Sequence, residues 1–577
     1  RTLIRLNHMQ CYVLLYFLSL CSLYLVAEGD LKDVEIFIAK KIITLDQYES
    51  ETEAVAVSGE IILSTGSLQD LSEKFPSAKV SKEFENAFIV PGFIEHHIHP
   101  FLSAVTMNSE IIAIDDWDLP GQTSIGVRDR NGYLQRLISA EEKKPPDMPL
   151  ISWGYHHYFH GKLSRYDLDK ISLTRPIVVI HRSFHEFILN SVAMEILGIE
   201  ESQFQIPDED KPFANFDEGH FSERGAILVL GNLMSLLGTP EMLINGLRLT
   251  IDHLHSNGVT VIGNPGAMYN PGIQQAKNLV LGNLDNPIES YFMPNGLHLS
   301  ENHDLEDILE ATVSKTKWGK GKVSYLDNQI KLFADGAMYS QKMMMRDGYL
   351  DGHDGAWLIH EDIYKALFKI FWDAGYQIHV HQNGDLGLDR VLDVLEENLK
   401  NKPREDHRTT VVHFGYSAKD QIQRLKKLNV LVSANPYYVT TLSDLYSKEG
   451  VGFERSQEMV RLGDLERENI PFSLHSDMPM APASPLLLMD AAINRVNFAN
   501  KVAGPNQRVS KLAALKGVTI NAAHVMQIED QYGSIESGKF ANFTVLEKNP
   551  LSEESHSIKN IKALATFSKG THYPINN

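Results

Sequence analysis

The chain has 577 residues, 43% of them hydrophobic and 22% charged, and 54 Lys and Arg against 74 Asp and Glu give a formal net charge of −20. This composition supports a large folded core and excludes disorder and fibrous repeats, and the acidic balance argues against nucleic acid or anionic membranes as partners. With 24 His and 2 Cys, a disulfide framework and a cysteine-rich zinc site are excluded, which leaves imidazole and carboxylate as metal ligands.

The first predicted element is an apolar segment. The uncharged run YVLLYFLSLCSLYLVA follows Arg5 and is short for a membrane span. Together with the small residues Ala27 and Gly29, it predicts a secretory signal peptide over residues 1–29. We therefore expect a secreted or periplasmic protein without a stable membrane span once the signal is removed. The alternative is a protein anchored to the membrane by an uncleaved N-terminal helix.

Short β-rich runs follow the signal and recur at the far end of the chain. They lie within residues 30–90 and 531–577, and turn residues separate them. Neither group has a partner nearby in sequence. We therefore expect the two groups to pair with each other as a small β-sandwich domain.

Between these ends, β-branched runs alternate with helical periods. The first strand is predicted within NAFIVPGFIEHHIH, and the later ones are PIVVIHRS, GVTVIGN, NQIKLFADG, GYQIHVHQNGD, TTVVHFG, NVLVSANP and IPFSLHSD. Repeated strand and helix units predict an α/β fold, here a (β/α)₈ TIM-like barrel over residues 91–530. The stretch at about 100–176 is too long for one loop, so we expect an inserted subdomain after the first barrel strand.

Histidines stand at the ends of these predicted strands. His97 and His99 are two residues apart, so on a strand their side chains face the same way and can share one metal ion. His381, His413 and Asp477 each lie at the end of another strand. Active sites of barrels are built at that rim. The pattern predicts a metal site rather than packed imidazoles.

Two further features each have more than one interpretation. Lys331 stands between apolar neighbours in NQIKLFADG, and because a buried lone ammonium is costly, it must be paired, neutral or modified. The segment WGYHHYFHG reads as a packed aromatic loop. The alternative is that this loop faces the substrate through Trp153, His156, His157 and His160.

Taken together, these motifs resemble the metal-dependent amidohydrolase superfamily, in the family 3 branch that includes N-substituted formamide deformylase-like and exoenzyme regulatory protein-like sequences. The resemblance extends over nearly the whole chain after the signal. The motifs that carry it are PGFIEHHIH, WGYHHYFHG, RSFHEFILNS, IKLFADGA, HVHQNGD, VVHFG, SLHSDMPMAP and GSIESGKFANFTVLEKNPL.

The resemblance implies a metal centre. One divalent metal ion would be bound by His97 and His99 and a second by His381 and His413, with a carboxylated Lys331 bridging the two. The expected metal is zinc, two per chain if the lysine is carboxylated. Iron, manganese and cobalt are alternatives that the same donors accept.

The resemblance also implies catalytic roles. Asp477 would bind metal through one oxygen and act as general base through the other. His185 matches a position near the substrate, where it could polarise a carbonyl, and the alternative is a packed histidine. His379 is expected to support or pack against the site rather than bind metal, because the family motif places the ligand directly before QNGD.

The implied function is hydrolysis of a carbon-nitrogen bond other than a peptide bond. A metal-bridging hydroxide would attack the carbonyl of a small amide-like molecule, and Asp477 would take the proton and pass it to the departing amine. Hydrolysis of a lactone or other ester-like bond on the same site is one alternative. A regulatory or binding protein on this scaffold is another. We expect no nucleic-acid partner and allow for a homodimer.

Overall fold

The computed structural model describes residues 33–576 of the chain. The predicted signal peptide, residues 1–29, lies outside the described residues. The strands that the structure describes are, in chain order, β1 (Val34–Ile43), β2 (Glu51–Ser58), β3 (Ile61–Gly66), β4 (Lys79–Pro91), β5 (Phe93–Glu95), β6 (Glu110–Ile111), β7 (Trp117–Leu119), β8 (Gln122–Ser124), β9 (Leu150–Tyr155), β10 (Ile177–His181), β11 (Glu186–Leu189), β12 (Ala214–Asn215), β13 (His220–Ser222), β14 (Val259–Ala267), β15 (Glu289–Pro294), β16 (Val323–Tyr325), β17 (Gln329–Phe333), β18 (Gln377–Gln382), β19 (Thr410–His413), β20 (Leu431–Ala434), β21 (Phe472–Leu474), β22 (Phe543–Leu546), β23 (Ala563–Ser568) and β24 (Thr571–Pro574).

The α-helices lie between these strands and cover them. They are Leu68–Lys74, Pro100–Met107, Arg130–Lys143, His157–His160, Arg165–Asp169, Ser191–Leu197, Arg224–Leu237, Pro240–Ser256, Pro271–Val280, Gly296–Asn302, Ile308–Thr316, Glu361–Asp373, Asp385–Asn401, Lys419–Lys427, Tyr437–Glu449, Phe453–Gln457, Leu462–Arg467, Pro485–Asn494, Lys511–Gly517 and Ile520–Met526. The fold is therefore of the mixed α/β class.

Strands from both ends of the described chain form one seven-stranded sheet, in the order β24-β23-β22-β4-β1-β2-β3. The rings of Phe37 and Phe567 are 5.0 Å apart, although β4 and β22 lie between their strands, a separation of about 14 Å in a flat sheet. The sheet therefore curls around an apolar core. It replaces the predicted two-sheet sandwich, because the 13-residue strand β4 pairs with both β1 and β22.

Strand β4 also leads into the next part of the fold. It ends at Pro91, and β5 begins at Phe93 after a single glycine. The backbone N–H of Phe93 donates to Thr544 Oγ1 at 3.0 Å, and that of Gly92 donates to the carbonyl of Asn542 at 2.9 Å. The strand that precedes His97 is thus attached directly to the terminal sheet.

A separate six-stranded sheet, ordered β12-β13-β11-β10-β9-β6, fills the inserted region. Strand β10, the run PIVVIHRS, was predicted as a barrel strand, and this is wrong. It pairs in parallel with β9 and antiparallel with β11, and its apolar sequence reflects burial on both faces within this sheet. The sheet continues to Ser222, so the insertion extends well beyond the predicted limit near residue 176.

Two sheets of parallel strands make up the centre of the molecule, ordered β5-β14-β15-β16 and β17-β18-β19-β20-β21. Strand β14 is buried along its whole length, which explains its continuous apolar sequence, since helices and neighbouring strands cover both faces. Strand β15, with the sequence ESYFMP, was not predicted. It is short and begins with a polar residue, so neither alternation nor an apolar run marks it.

Isolated backbone bridges join these two parallel sheets at both edges. One parallel bridge pairs Asn295 with Lys331, and the other pairs Ile98 with Met478. Near the second bridge, the His99 N–H donates to the Met478 carbonyl at 2.9 Å and the Asp477 N–H donates to the His97 carbonyl at 3.1 Å. The two sheets therefore share backbone contacts beside the predicted metal ligands.

Amphipathic helices pack on the outside of the parallel strands. The helix Glu361–Asp373 shows how: Tyr364, Leu367, Phe368 and Phe371 recur at helical spacing and are all buried. The helix begins with two acidic residues, which interact favourably with its N-terminal dipole. Among residues 33–576, no single helix is both long and apolar enough to cross a membrane; Arg224–Leu237 and Pro240–Ser256 satisfy length and composition only as a pair bent by 93°.

Candidate functional site

The predicted site residues meet at a single cavity of about 200 Å³. It lies where β5, β17, β18, β19 and the segment after β21 deliver their side chains. Every residue that the sequence predicted as a metal ligand or catalytic group lines it: His97, His99, His185, Lys331, His381, His413 and Asp477.

The Asp477 carboxylate is surrounded by imidazoles. Its Oδ1 lies 3.2 Å from His97 Nε2 and 3.1 Å from His99 Nε2. Its Oδ2 lies 3.6 Å from His413 Nδ1. One ligand atom each from His97, His413 and Asp477 lies within 4.8 Å of the others. This convergence is what a common cation would require.

The donor set fits a divalent metal ion. His97 Nε2 and Asp477 Oδ1 are both buried and, although they lie close to each other, neither forms a hydrogen bond of acceptable geometry with any residue in 33–576; a buried polar atom without a hydrogen bond normally costs about 1–3 kcal/mol. Burial, followed by the proximity of Lys331, holds the pKa of His97 well below its usual value. Its imidazole is therefore neutral, which is the form that binds metal.

His381 and His413 complete the histidine cluster, and their rings are 4.5 Å apart. Burial is the main reason that the pKa of each lies well below the ordinary value. His413 Nδ1 lies 3.2 Å from Nε2 of His475, whose Nδ1 lies 2.8 Å from Ser433 Oγ. The orientation of His413 is therefore supported from behind by a buried polar chain.

Lys331 lies in the middle of β17 and is almost completely buried. Within residues 33–576, no carboxylate forms an ion pair with its ammonium group, and burial lowers its pKa to about 7. A substantial fraction of the side chain is consequently a neutral amine near pH 7. The structure thus favours the neutral or modified states over the paired state among those allowed by the sequence.

His185 is held by a buried acid that sequence reasoning missed. Its Nδ1 lies 2.7 Å from Glu223 Oε2. Burial alone would lower the pKa of His185, but the charge and hydrogen bond of Glu223 raise it overall. The other Glu223 oxygen accepts a hydrogen bond from Ser340 Oγ at 2.8 Å. The His185 ring also stacks on His381 at 5.7 Å.

Several residues at the cavity have left-handed backbone conformations although they are not glycine. The φ angles are 58° at Phe184, 46° at Glu223, 76° at His413 and 58° at Asp477. Such conformations cost about 1–3 kcal/mol each and persist where the surroundings impose them. Here they turn strand ends sharply, so that the side chains reach into the cavity.

The rest of the cavity wall is mainly apolar, with few polar groups. Phe101, Phe187 and Leu230 supply much of the apolar surface, and Asn264 adds an amide. Lys277, from the helix Pro271–Val280, also lines the cavity; burial lowers its pKa to about 7. A cavity of this kind suits a small organic molecule with one or two polar groups.

Several other histidines of the sequence lie outside this cavity. His96 Nε2 lies 2.7 Å from Ser433 Oγ and 3.0 Å from Ser473 Oγ, behind the cavity. His379 Nε2 lies 3.0 Å from Gln329 Oε1 and does not line the cavity. The aromatic loop also lies outside it, so none of Trp153, His156, His157 and His160 contributes to the cavity wall.

The sequence analysis did not predict the supporting residues His475 and Glu223, and only one of them is indicated by a sequence pattern. His475 stands two residues before Asp477, the same spacing that pointed to His97 and His99, so the signal was present in the sequence. Glu223 follows β13 and begins no recognisable motif. Only the turn of its backbone directs the side chain to His185, and a sequence pattern does not report that turn.

The amino-acid sequence of this chain is similar to those of known proteins. The profile described as "Amidohydrolase family" matches residues 84–572. YtcJ of Bacillus subtilis (strain 168) is 24% identical over 533 residues, which cover 88% of this chain and 93% of that protein. The N-substituted formamide deformylase of Arthrobacter pascens is 23% identical over 558 residues, covering 93% of this chain and 97% of that enzyme.

A solved structure has a similar fold. An uncharacterized metal-dependent hydrolase from Pyrococcus horikoshii OT3 superimposes with a TM-score of 0.69 at 20% sequence identity. The match covers 91% of this chain and 99% of that one. The similarity therefore extends over the terminal sheet, the insertion and the parallel strands together.

Proposed function

The chain belongs to the amidohydrolase family, and on this premise we propose that it is a metal-dependent hydrolase that cleaves the carbon-nitrogen bond of a small amide-like molecule. The observation that carries this proposal is the convergence of one ligand atom each from buried His97, His413 and Asp477 at one cavity. The name of the 23% identical N-substituted formamide deformylase supports formamides as the first substrates to test.

We propose that two groups of side chains hold the metal. His97, His99 and Asp477 would form one group, and His381 and His413 the other, with a carboxylated Lys331 between them. A bound divalent metal lowers the pKa of water to about 7 and polarises a carbonyl oxygen. Zinc suits imidazole and carboxylate donors, and the neutral state of the buried imidazoles supports this assignment.

The remaining chemistry belongs to two side chains. Asp477, with its carboxylate at the centre of the cluster, would accept a proton from the attacking water and transfer it to the nitrogen that leaves. His185, whose Nδ1 is occupied by Glu223, would present Nε2 to the substrate carbonyl. The apolar walls would exclude bulk water and strengthen these interactions.

We further propose that the parallel strands close into a (β/α)₈ barrel in the order β5-β14-β15-β17-β18-β19-β20-β21. The two isolated bridges between the sheets support this closure. Strand β15 takes the place that the sequence had assigned to β10, so eight strands remain. A crystal structure that lacked the backbone hydrogen bonds between residues 97–99 and 477–478 would contradict it.

The decisive test of the function is Asp477→Asn, measured with N-substituted formamides, other small amides, lactones and esters. We expect the parent to prefer amides, and the variant to lose about 10²–10⁴-fold in kcat, the usual contribution of a general base. Full turnover by the variant with unchanged metal content would contradict the role of Asp477. A preference for lactones or esters would replace the bond that is proposed here.

A further inference from the structure

A second histidine cluster lies in the inserted sheet, outside the catalytic cavity. Strands β9 and β10 are parallel neighbours, and Tyr155 at the end of β9 pairs with His181 at the end of β10. Since parallel strands end at the same edge of a sheet, His156 and His157, which follow β9, emerge beside His181. The ring centroids of the three histidines are 5.3–5.7 Å apart.

The ring nitrogens of this cluster are unusually poor in partners. Both nitrogens of His156, Nδ1 of His157 and Nε2 of His181 are buried and have no hydrogen-bond partner among residues 33–576. A buried polar atom without a hydrogen bond is destabilising, so four such atoms at one place need an explanation. His160, four residues after His156, shows ordinary behaviour, because its Nδ1 accepts the His156 N–H and its Nε2 lies 2.7 Å from the Val127 carbonyl oxygen.

We propose that His156, His157 and His181 bind a second-site divalent transition-metal ion of the kind that prefers imidazole, such as Zn²⁺. One ring nitrogen from each residue lies within 4.8 Å of the other two. Around a tetrahedral ion with Zn–N distances near 2.0–2.1 Å, these separations would be about 3.3 Å. Small rotations of the side chains would bring the three nitrogens to that separation. One nitrogen of each histidine would then be a ligand of the ion.

The charges around the cluster suit a cation. Burial is the main cause that lowers the pKa of His157 to about 4 and that of His181 to about 3, so these imidazoles are neutral, as ligands must be. Glu186 lies nearby, almost fully buried. Its Oε1 lies 2.8 Å from His220 Nε2, with which it pairs. The cluster therefore has one carboxylate beside it, and that carboxylate shares its charge with His220.

The position of the cluster gives the ion a structural consequence. His181 Nδ1 lies 2.8 Å from Ser183 Oγ, which also accepts the backbone N–H of His185 at 3.1 Å. Ser183 itself lines the catalytic cavity. An ion bound to His181 would thus fix the turn between β10 and β11, which carries His185. The second ion would act as a positioning element for the cavity wall.

The test is the zinc content of the full-length protein, measured by mass spectrometry of the metal after equilibration with Zn²⁺ and removal of free ion. His181→Asn and His157→Asn should each lose about one zinc per chain relative to the parent. His160→Asn, from the same loop, is the matched control and should lose none. Circular dichroism checks that each variant is folded. The half-buried His157 gives a milder substitution in case His181→Asn does not fold.

A second measurement separates this site from the catalytic one. In a His97→Ala, His99→Ala background, which removes two proposed catalytic ligands, the zinc that depends on His157 should remain. The proposal is overturned if folded His181→Asn and His157→Asn proteins keep the zinc content of the parent. It is equally overturned if His160→Asn loses as much zinc as they do, because the loss would then follow from damaged packing.

Discussion

Glu223 is held in place beside the proposed catalytic histidine by several constraints. It is buried, its backbone is left-handed, and its two oxygens are divided between His185 and Ser340. A hydrogen bond to a charged partner contributes about 1.5–3 kcal/mol. That range corresponds to about ten- to a hundredfold in rate if the bond orients His185 in the transition state.

Glu223→Gln should therefore lower kcat by about ten- to a hundredfold and leave KM little changed. The amide keeps the shape of the side chain but removes the charge that favours protonated His185. Steady-state kinetics across a pH series checks this, with Ser340→Ala as the control that removes only the other contact. An equal loss in both variants would indicate general damage to the helix start rather than a role through His185.

Lys331 provides a direct test of the bridging group. Protein equilibrated with carbon-13 bicarbonate should show a carbamate carbon in its NMR spectrum, because the buried neutral amine can react with carbon dioxide. Lys331→Met should abolish this signal and lower the metal content by about one ion per chain. Lys277→Met is a matched control, since Lys277 is also buried at the same cavity. A signal lost only in Lys277→Met would move the modification to that residue.

The proposed histidine and aspartate ligands could be read from the sequence because each stands near the end of a strand, and strand ends have a recognisable pattern. The groups that support them were harder to predict. Glu223 acts through a positive φ angle, and Ser433 of β20 supports His413 of β19 only through His475, which follows β21. Such contacts depend on backbone turns and tertiary pairing, which composition and periodicity do not encode.

At the scale of elements, the same limitation explains why β10 was predicted as a barrel strand and β15 was not predicted at all. Both strands are short and buried, but β10 is rich in Ile and Val and β15 is not. An apolar run indicates a strand that is covered on both faces, and it carries no information about which sheet the strand joins. The strands from β17 to β21 were predicted correctly because helices with clear periodicity separate most of them.

An ion-pair cluster ties the start of β19 to the helix Ile520–Met526. Arg408 Nη1 lies 2.7 Å from Glu529 Oε1, and His524 Nδ1 lies 2.9 Å from the same oxygen. Burial alone would raise the pKa of Glu529, but its hydrogen bonds to His524 and Arg408 lower it to about 2. The charged carboxylate thus stabilises the fold at pH values above the ordinary Glu pKa of about 4.3. This contribution to the free energy of unfolding is lost as the pH falls toward 2.

Glu529→Gln should consequently destabilise the protein by about 2–3 kcal/mol at neutral pH. The difference in melting temperature between parent and variant should shrink as the pH falls from about 5 toward 3. Glu554→Gln is the control, because Glu554 pairs with His556 at an exposed position where both side chains are 77% exposed. A melting difference that stays constant over this range would contradict the assignment.

At the scale of the whole molecule, one aromatic side chain contacts several strands of the terminal sheet. Phe567 of β23 is buried and contacts Phe37, Phe84 and Phe543 from three other strands. Removing a buried phenylalanine costs about 3–5 kcal/mol. Its loss would weaken the contact of β23 with β1, β4 and β22.

Phe567→Ala should lower the melting temperature by several degrees, as measured by scanning calorimetry. Phe453→Ala is the matched control, because Phe453 is 63% exposed and its truncation should change stability by less than about 0.5 kcal/mol. Similar shifts in the two variants would show that the terminal sheet does not limit the stability of the chain.

The junction at Gly92 has a consequence for the time at which the proposed metal site can form. The strand that leads to His97 and His99 is held by Thr544, 451 residues away from Phe93 in sequence. At about 5–20 residues per second, a ribosome needs roughly 20–90 s to synthesise that stretch. During this time His97 and His99 follow a strand whose hydrogen-bond partner, Thr544, has not yet been synthesised. The nascent chain therefore cannot anchor this strand of the proposed metal site until Thr544 has been translated.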